Sequence, residues 1–131
     1  MMTILAQPDL TAYRERIAAL ELPVWMPVMA SEAKDGDAVR GSILYSYEPE
    51  QVTIFDVSDQ GDLACLDGLV RSVLFKAQLR GIGRAVFRVN DPAMRSRLEM
   101  LRFVKNDENI LENIAEIMDS CKSCRKNPET T

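Results

Sequence analysis

Cys121-Lys122-Ser123-Cys124 is the sharpest cluster of chemistry-bearing residues in the chain. A Cys-x-x-Cys pair can ligate zinc or iron, or cycle as a disulfide. Lys122, Arg125 and Lys126 would lower the thiol pKa and favour the reactive thiolate. Zinc takes four ligands, so the pair plus the distant Cys65 falls short unless two chains share a site. Three alternatives stay open: a solvated tail of no special chemistry, a metal or redox site, or a dimer linkage. Cys65 alone fits a small buried apolar residue. The sequence holds no histidine, which removes the commonest general base, the Ser-His-Asp arrangement and most zinc sites. Any catalysis would rest on carboxylates, tyrosines, cysteines, a substrate amine or backbone groups.

Behind the second candidate for chemistry stands a βαβα unit from Val52 to Phe103. A β-rich run (Val52 to Val57) leads through a polar turn, Ser58 to Asp62, into a helical pattern from Leu63 to about Leu79. That helix would bury Leu63, Leu66, Leu69, Val70, Val73, Leu74 and Ala77, a stripe broad enough to lie on a sheet. Gly81 supplies its C-terminal cap, and a strand, Ala85 to Val89, follows. Asn90 is expected to cap the next helix, with Pro92 in its first turn and Met94, Leu98 and Leu101 inside. Two strands joined through a packed helix form a parallel pair, and the turn into that helix is where backbone N–H groups can meet an anion.

Upstream, Met1 to Ala6 reads as a short strand. An amphipathic helix then opens at Pro8 and Asp9, buries Leu10, Tyr13, Ile17 and Leu20, and ends at Pro23. Val24 to Ser31, interrupted by Pro27, predicts an edge strand or a bulge. Lys34-Asp35-Gly36-Asp37 is a hairpin turn, with Ala38 to Tyr47 as the returning strand. Tyr45 and Tyr47 could line a cleft by alternation or be ordinary strand tyrosines. After Asn109 the pattern of Ile110, Ile114 and Ile117 steps like a helix, while Ile110-Leu111 could first extend the sheet; Phe103-Val104 suggests another short strand. These elements make a single α/β (α+β) domain over residues 1–120, followed by a basic tail, residues 121–131.

Charge and hydropathy narrow the partners. With 16 basic and 20 acidic residues the net charge is −4, which argues against nucleic acid as the main partner. Basic residues cluster between Arg71 and Arg102. Such a band would suit a nucleotide or a phosphate-bearing coenzyme, although a solvated helix face balanced by acids elsewhere accounts for it more simply. No apolar run approaches the ~20 residues of a membrane span. The N-terminus lacks the basic region of a secretory signal, so a cytoplasmic location is expected.

The element order β-α-β-β-β-α-β-α-β, with the residues at its joints, resembles the GNAT acetyltransferase superfamily. Asn90 with Ala93, then Leu101-Arg102-Phe103, looks like that family's asparagine and leucine-glycine-phenylalanine segment. Gly68-Leu69-Val70-Arg71-Ser72-Val73-Leu74 looks like its Gly-Ile-Gly-Arg-Ala-Leu-Leu helix start. The more eye-catching Gly81-Ile82-Gly83 is followed by too short a segment to be that helix. The resemblance implies a central mixed sheet flanked by helices, and acetyl-coenzyme A as donor to a small amine or a protein amine. It also implies that Phe55 and Val57 flank the pantetheine arm, while Leu66, Asp67, Gly68, Leu69, Val70 and Arg71 form the pyrophosphate turn. Asp56 and Asp59 would then stand where the family often places a base or a substrate-contacting acid; turn and capping roles are the reading their residue type favours. The family's turn reads Gln/Arg-x-x-Gly-x-Gly/Ala, and this chain departs from it at Cys65 and Val70. Leu98 stands at the position of a tyrosine acid, and Arg102 replaces the glycine before Phe103. The alternative is a non-catalytic descendant of the fold that binds a ligand or a partner protein, possible homodimer included.

Overall fold

The computed structural model describes residues 2–105 and 109–118. Six strands form one sheet in sequential order: β1 (Met2–Gln7), β2 (Met29–Asp35), β3 (Ala38–Tyr47), β4 (Val52–Ser58), β5 (Ala85–Phe87) and β6 (Ile110–Leu111). All neighbours are antiparallel except β4 and β5, which run parallel. Helix α2 (Leu63–Leu79) links that parallel pair, as the apolar stripe and its bounding turns predict. The hairpin at Gly36, with φ of 65°, joins β2 to β3.

The sheet is covered on both faces, so its central strands are apolar on both sides. Against one face α2 buries Leu66, Leu69, Val70, Val73 and Leu74 on Ile43, Tyr45, Ile54 and Val57, and α3 (Pro92–Met100) adds Met94 and Leu98. Each fully buried leucine here contributes roughly 1.5–3 kcal/mol. Against the other face a 3-10 turn (Thr11–Tyr13) and helix α1 (Arg14–Ala19) lay Tyr13 and Ile17 on Leu44 and Phe55.

Several expectations shift in detail. The first helix is split and stops at Ala19 rather than near Pro23, because Glu21 takes a left-handed φ of 51°. Trp25 lies in a turn and is exposed, and β2 starts only at Met29; β1, not β2, is the sheet edge. Asp91, not Asn90, caps α3 by accepting from the Met94 amide at 3.2 Å. Phe103 and Val104 form a bend rather than a strand, and Ile110–Leu111 does extend the sheet before a helical turn over residues 114–118.

Candidate functional site between the parting strands

The parallel pair is short. Its register runs Val52↔Ala85, Thr53↔Val86 and Ile54↔Phe87, and the Arg88 amide then donates to the Ile54 carbonyl at 2.8 Å. Past that bond no backbone hydrogen bond joins the two segments among the described residues. The strands part at their C-terminal ends, the place where open α/β sheets receive ligands.

A β-bulge shapes the β4 side of this cleft. Pairing to β3 jumps from Leu44↔Asp56 to Tyr45↔Ile54, which leaves Phe55 as the extra residue. Phe55 and Asp56 therefore both turn toward α1, while Ile54 and Val57 face α2. Asp56 does not stand free as a base: Arg16 of α1 donates Nε–H to it at 2.8 Å and reaches Ser42 with Nη1 at 2.7 Å. A cavity of 730 Å³ opens on this side, floored by Phe55 and walled by Leu20, Leu22, Phe87, Arg88 and Ile110.

On the α2 side the helix entrance is already occupied by acids. Asp62 is the N-cap of α2, and its carboxylate accepts from the amides of Ala64 at 3.0 Å and Cys65 at 3.2 Å. Asp59, only 3% exposed, accepts from the Gly61 amide at 3.0 Å and is clasped by the Arg97 guanidinium from α3. This ion pair ties the β4–α2 turn to α3 and bridges the parting strands. Left-handed φ values at Gln60 (53°) and Gly61 (79°) fold the turn tightly enough for both acids to face their amides. Burial, followed by the charges of Asp62 and Asp59, pushes the Cys65 thiol pKa up, so this cysteine stays protonated and is no nucleophile.

The remaining sequence-predicted residues lie deeper. The Leu66 amide donates to the Asp62 carbonyl at 3.0 Å, so the segment from Leu66 to Leu69 starts beyond the helix's free amides. Leu66, Leu69 and Val70 are wholly buried in the core. Gly68 sits under β1, where an added Cβ would lie 3.0 Å from Ile4 Cδ1. Asp67 and Arg71 pair with each other at 2.9 Å, one helical turn apart. Leu98 is fully buried, and Arg102 holds a left-handed φ of 72° where the resembling family carries glycine. Tyr45 and Tyr47 line no cleft: Tyr45 bonds Ser31 at 2.8 Å inside the core, and Tyr47 donates to the Val73 carbonyl at 3.3 Å beneath Arg80. Cys121 and Cys124 lie outside the described residues. Of the two candidate acids, then, the turn brings Asp59 to the helix entrance, while the bulge carries Asp56 to the opposite face.

Two residues at the entrance are not among the candidates named from the sequence. Asp62 carries a usable signal, an aspartate directly before an apolar helical run. Arg97 carries none, since its partner lies 38 positions away.

No protein-family model matches the sequence, and a search of curated proteins finds no match. Solved structures do match. The ribosomal-protein-S18-alanine N-acetyltransferase of Escherichia coli superposes with a TM-score of 0.57 at 14% identity, over 78% of this chain and 77% of that one. An IAA acetyltransferase of Bacillus cereus gives 0.56 at 17% identity, over 76% and 75%. A GNAT family acetyltransferase of Elizabethkingia anophelis, solved with acetyl-CoA bound, gives 0.56 at 16%, over 76% and 72%. With the strand order, the parted parallel pair and the helix that follows β4, these superpositions establish that the chain has the fold of the GNAT acetyltransferases.

Proposed function

We propose that this chain is a GNAT-fold binding module in which the cleft between the parting strands receives a ligand or partner group, and the coenzyme turn no longer receives a pyrophosphate. One observation carries this: the Asp62 carboxylate sits on the amides of Ala64 and Cys65, the groups an anion would need. A phosphate placed there would meet a fixed like charge. At 4 Å that repulsion is about 1 kcal/mol in water and at most about 4 kcal/mol for a pair near a protein surface. Asp59 adds a second carboxylate, neutralised by Arg97, in the space between β4 and α3. The residues present therefore do not fit acetyl-coenzyme A in the family's manner, and Leu98 has no proton to give a departing thiolate.

A second reading, acetyl-CoA-dependent transfer to a small amine or a protein amine, is favoured by the parted strands and by the fold's kinship with an acetyl-CoA-bound structure. In it Phe55 and Val57 flank the acyl donor. Thermal unfolding of the reduced protein with and without millimolar acetyl-CoA separates the two. A binder would gain ~2.7 kcal/mol at a hundredfold excess over its dissociation constant, a shift of several degrees. The module is expected to show no shift. An interaction role would also show as a dimer that weakens when Cys121 and Cys124 are replaced, measured by sedimentation.

A further inference from the structure

We infer that the 730 Å³ cavity beside the parting strands binds an organic carboxylate with an apolar body, held through Arg88. This rests on the binding-module reading above and names the ligand class of that same cleft. The volume falls within the roughly 300–1,000 Å³ of small-molecule sites.

Arg88 is the cation among the described lining residues of this cavity and differs from the other arginines around it. Arg16, Arg71, Arg84 and Arg97 each face a carboxylate. Arg88 makes no ion pair among the described residues; its guanidinium lies 5.9 Å from the centroid of the Phe55 ring on the cavity floor. A guanidinium laid on an aromatic face keeps its fork of N–H donors directed outward, matched to the two oxygens of a carboxylate. The segment is fixed at its base, because the Arg88 amide bonds Ile54 and the Phe87 amide bonds the Asn109 carbonyl at 2.7 Å.

Polar groups near the arginine are donors in surplus. Asn109, which lines the cavity, spends Oδ1 as acceptor for Arg95 Nε at 2.8 Å, and its Nδ2 donates to no partner among the described residues. Asn90 lines the same cavity and makes no side-chain hydrogen bond among the described residues. Among the described lining residues the one carboxylate, Glu112, lies 3.4 Å from Arg84. Leu20, Leu22 and Ile110 add apolar lining for the ligand's body. A single arginine with no cluster of backbone donors suits a singly charged planar carboxylate better than a phosphoryl group of nearly two charges.

Calorimetric titration of the full chain with phenylacetate, 4-methylpentanoate and N-acetylleucine, against phenyl phosphate and benzyl alcohol, tests this. Saturable binding of at least one carboxylate is expected, about tenfold or more weaker in Arg88→Gln and partly retained in Arg88→Lys. Arg88 is exposed, so both variants should melt with the parent protein. No binding of any carboxylate, equal binding to Arg88→Gln, or a preference for phenyl phosphate would each overturn the inference. Acetyl-CoA binding without carboxylate binding would overturn both this and the module reading. Acetyl-CoA binding alongside Arg88-dependent carboxylate binding would overturn only the latter.

Discussion

Arg97→Met should be among the most damaging single changes outside the apolar core. The substitution keeps the length of the stem on α3 and removes the guanidinium from Asp59. Asp59 is 3% exposed and would keep a single amide donor, Gly61, for a full negative charge. Removing one partner of a buried ion pair costs about 3–5 kcal/mol. The Arg97 side chain is 28% exposed, so water screens part of the attraction and the loss should lie near the lower end, about 3 kcal/mol. For a chain of this size that is a fall in Tm of roughly 10 °C. Asp59→Asn keeps an acceptor for the Gly61 amide and should cost less, about 1–2 kcal/mol. Urea unfolding of both single variants and the double variant gives the coupling directly, expected near 2 kcal/mol. An Arg97→Met variant within about 0.5 kcal/mol of the parent, or single effects that simply add, would refute the clasp.

Other consequences are smaller or simpler to read. Asp62→Ala should lower stability by about 1 kcal/mol through loss of the α2 cap, and Asp62→Asn by only a few tenths, both measurable by urea unfolding. Gly41→Ala should cost about 3 kcal/mol or more, because the new methyl would lie 2.5 Å from the Ser58 carbonyl and 2.8 Å from Cys65 Sγ; a neutral result would mean β3 does not approach α2 so closely. Arg102→Gly should raise stability by about 0.5–1 kcal/mol by relieving the left-handed arginine. Burial, then the hydrogen bond to Glu32, pushes the Tyr13 pKa up to about 12. A raised folded pKa stabilises the protein below the unfolded value and loses that contribution as pH climbs toward the folded one. Stability should therefore decline between about pH 10 and 12, and Tyr13→Phe should flatten that part of the curve.

Much of the fold is legible because it is written in local patterns. The stripe from Leu63 to Leu79 marks α2 within its observed bounds, and Asp35-Gly36 marks the hairpin. Gly81, at φ of 81°, ends α2 as expected, and the glycine pair around Ile82 leads into strand β5 rather than into a helix. Finer points depend on contacts that no window contains. Asp91 outcompetes Asn90 as a cap because the helix starts at Pro92 and only the residue before it can reach the Met94 amide. The bulge at Phe55 depends on the register of β3 against β4, and it decides that Asp56 meets Arg16 rather than the helix turn. The basic band from Arg71 to Arg102 likewise resolves into separate pairs, with Asp67, Glu112, Glu99 and Asp59, and leaves Arg88 over an aromatic ring.

The most direct test follows the backbone amide resonances of Ala64 and Cys65 during titration with acetyl-CoA. If the Asp62 carboxylate holds those amides, they should stay in place up to millimolar coenzyme. Saturable shifts centred on these two amides would mean that Asp62 yields to a pyrophosphate, and that the fold still receives its coenzyme.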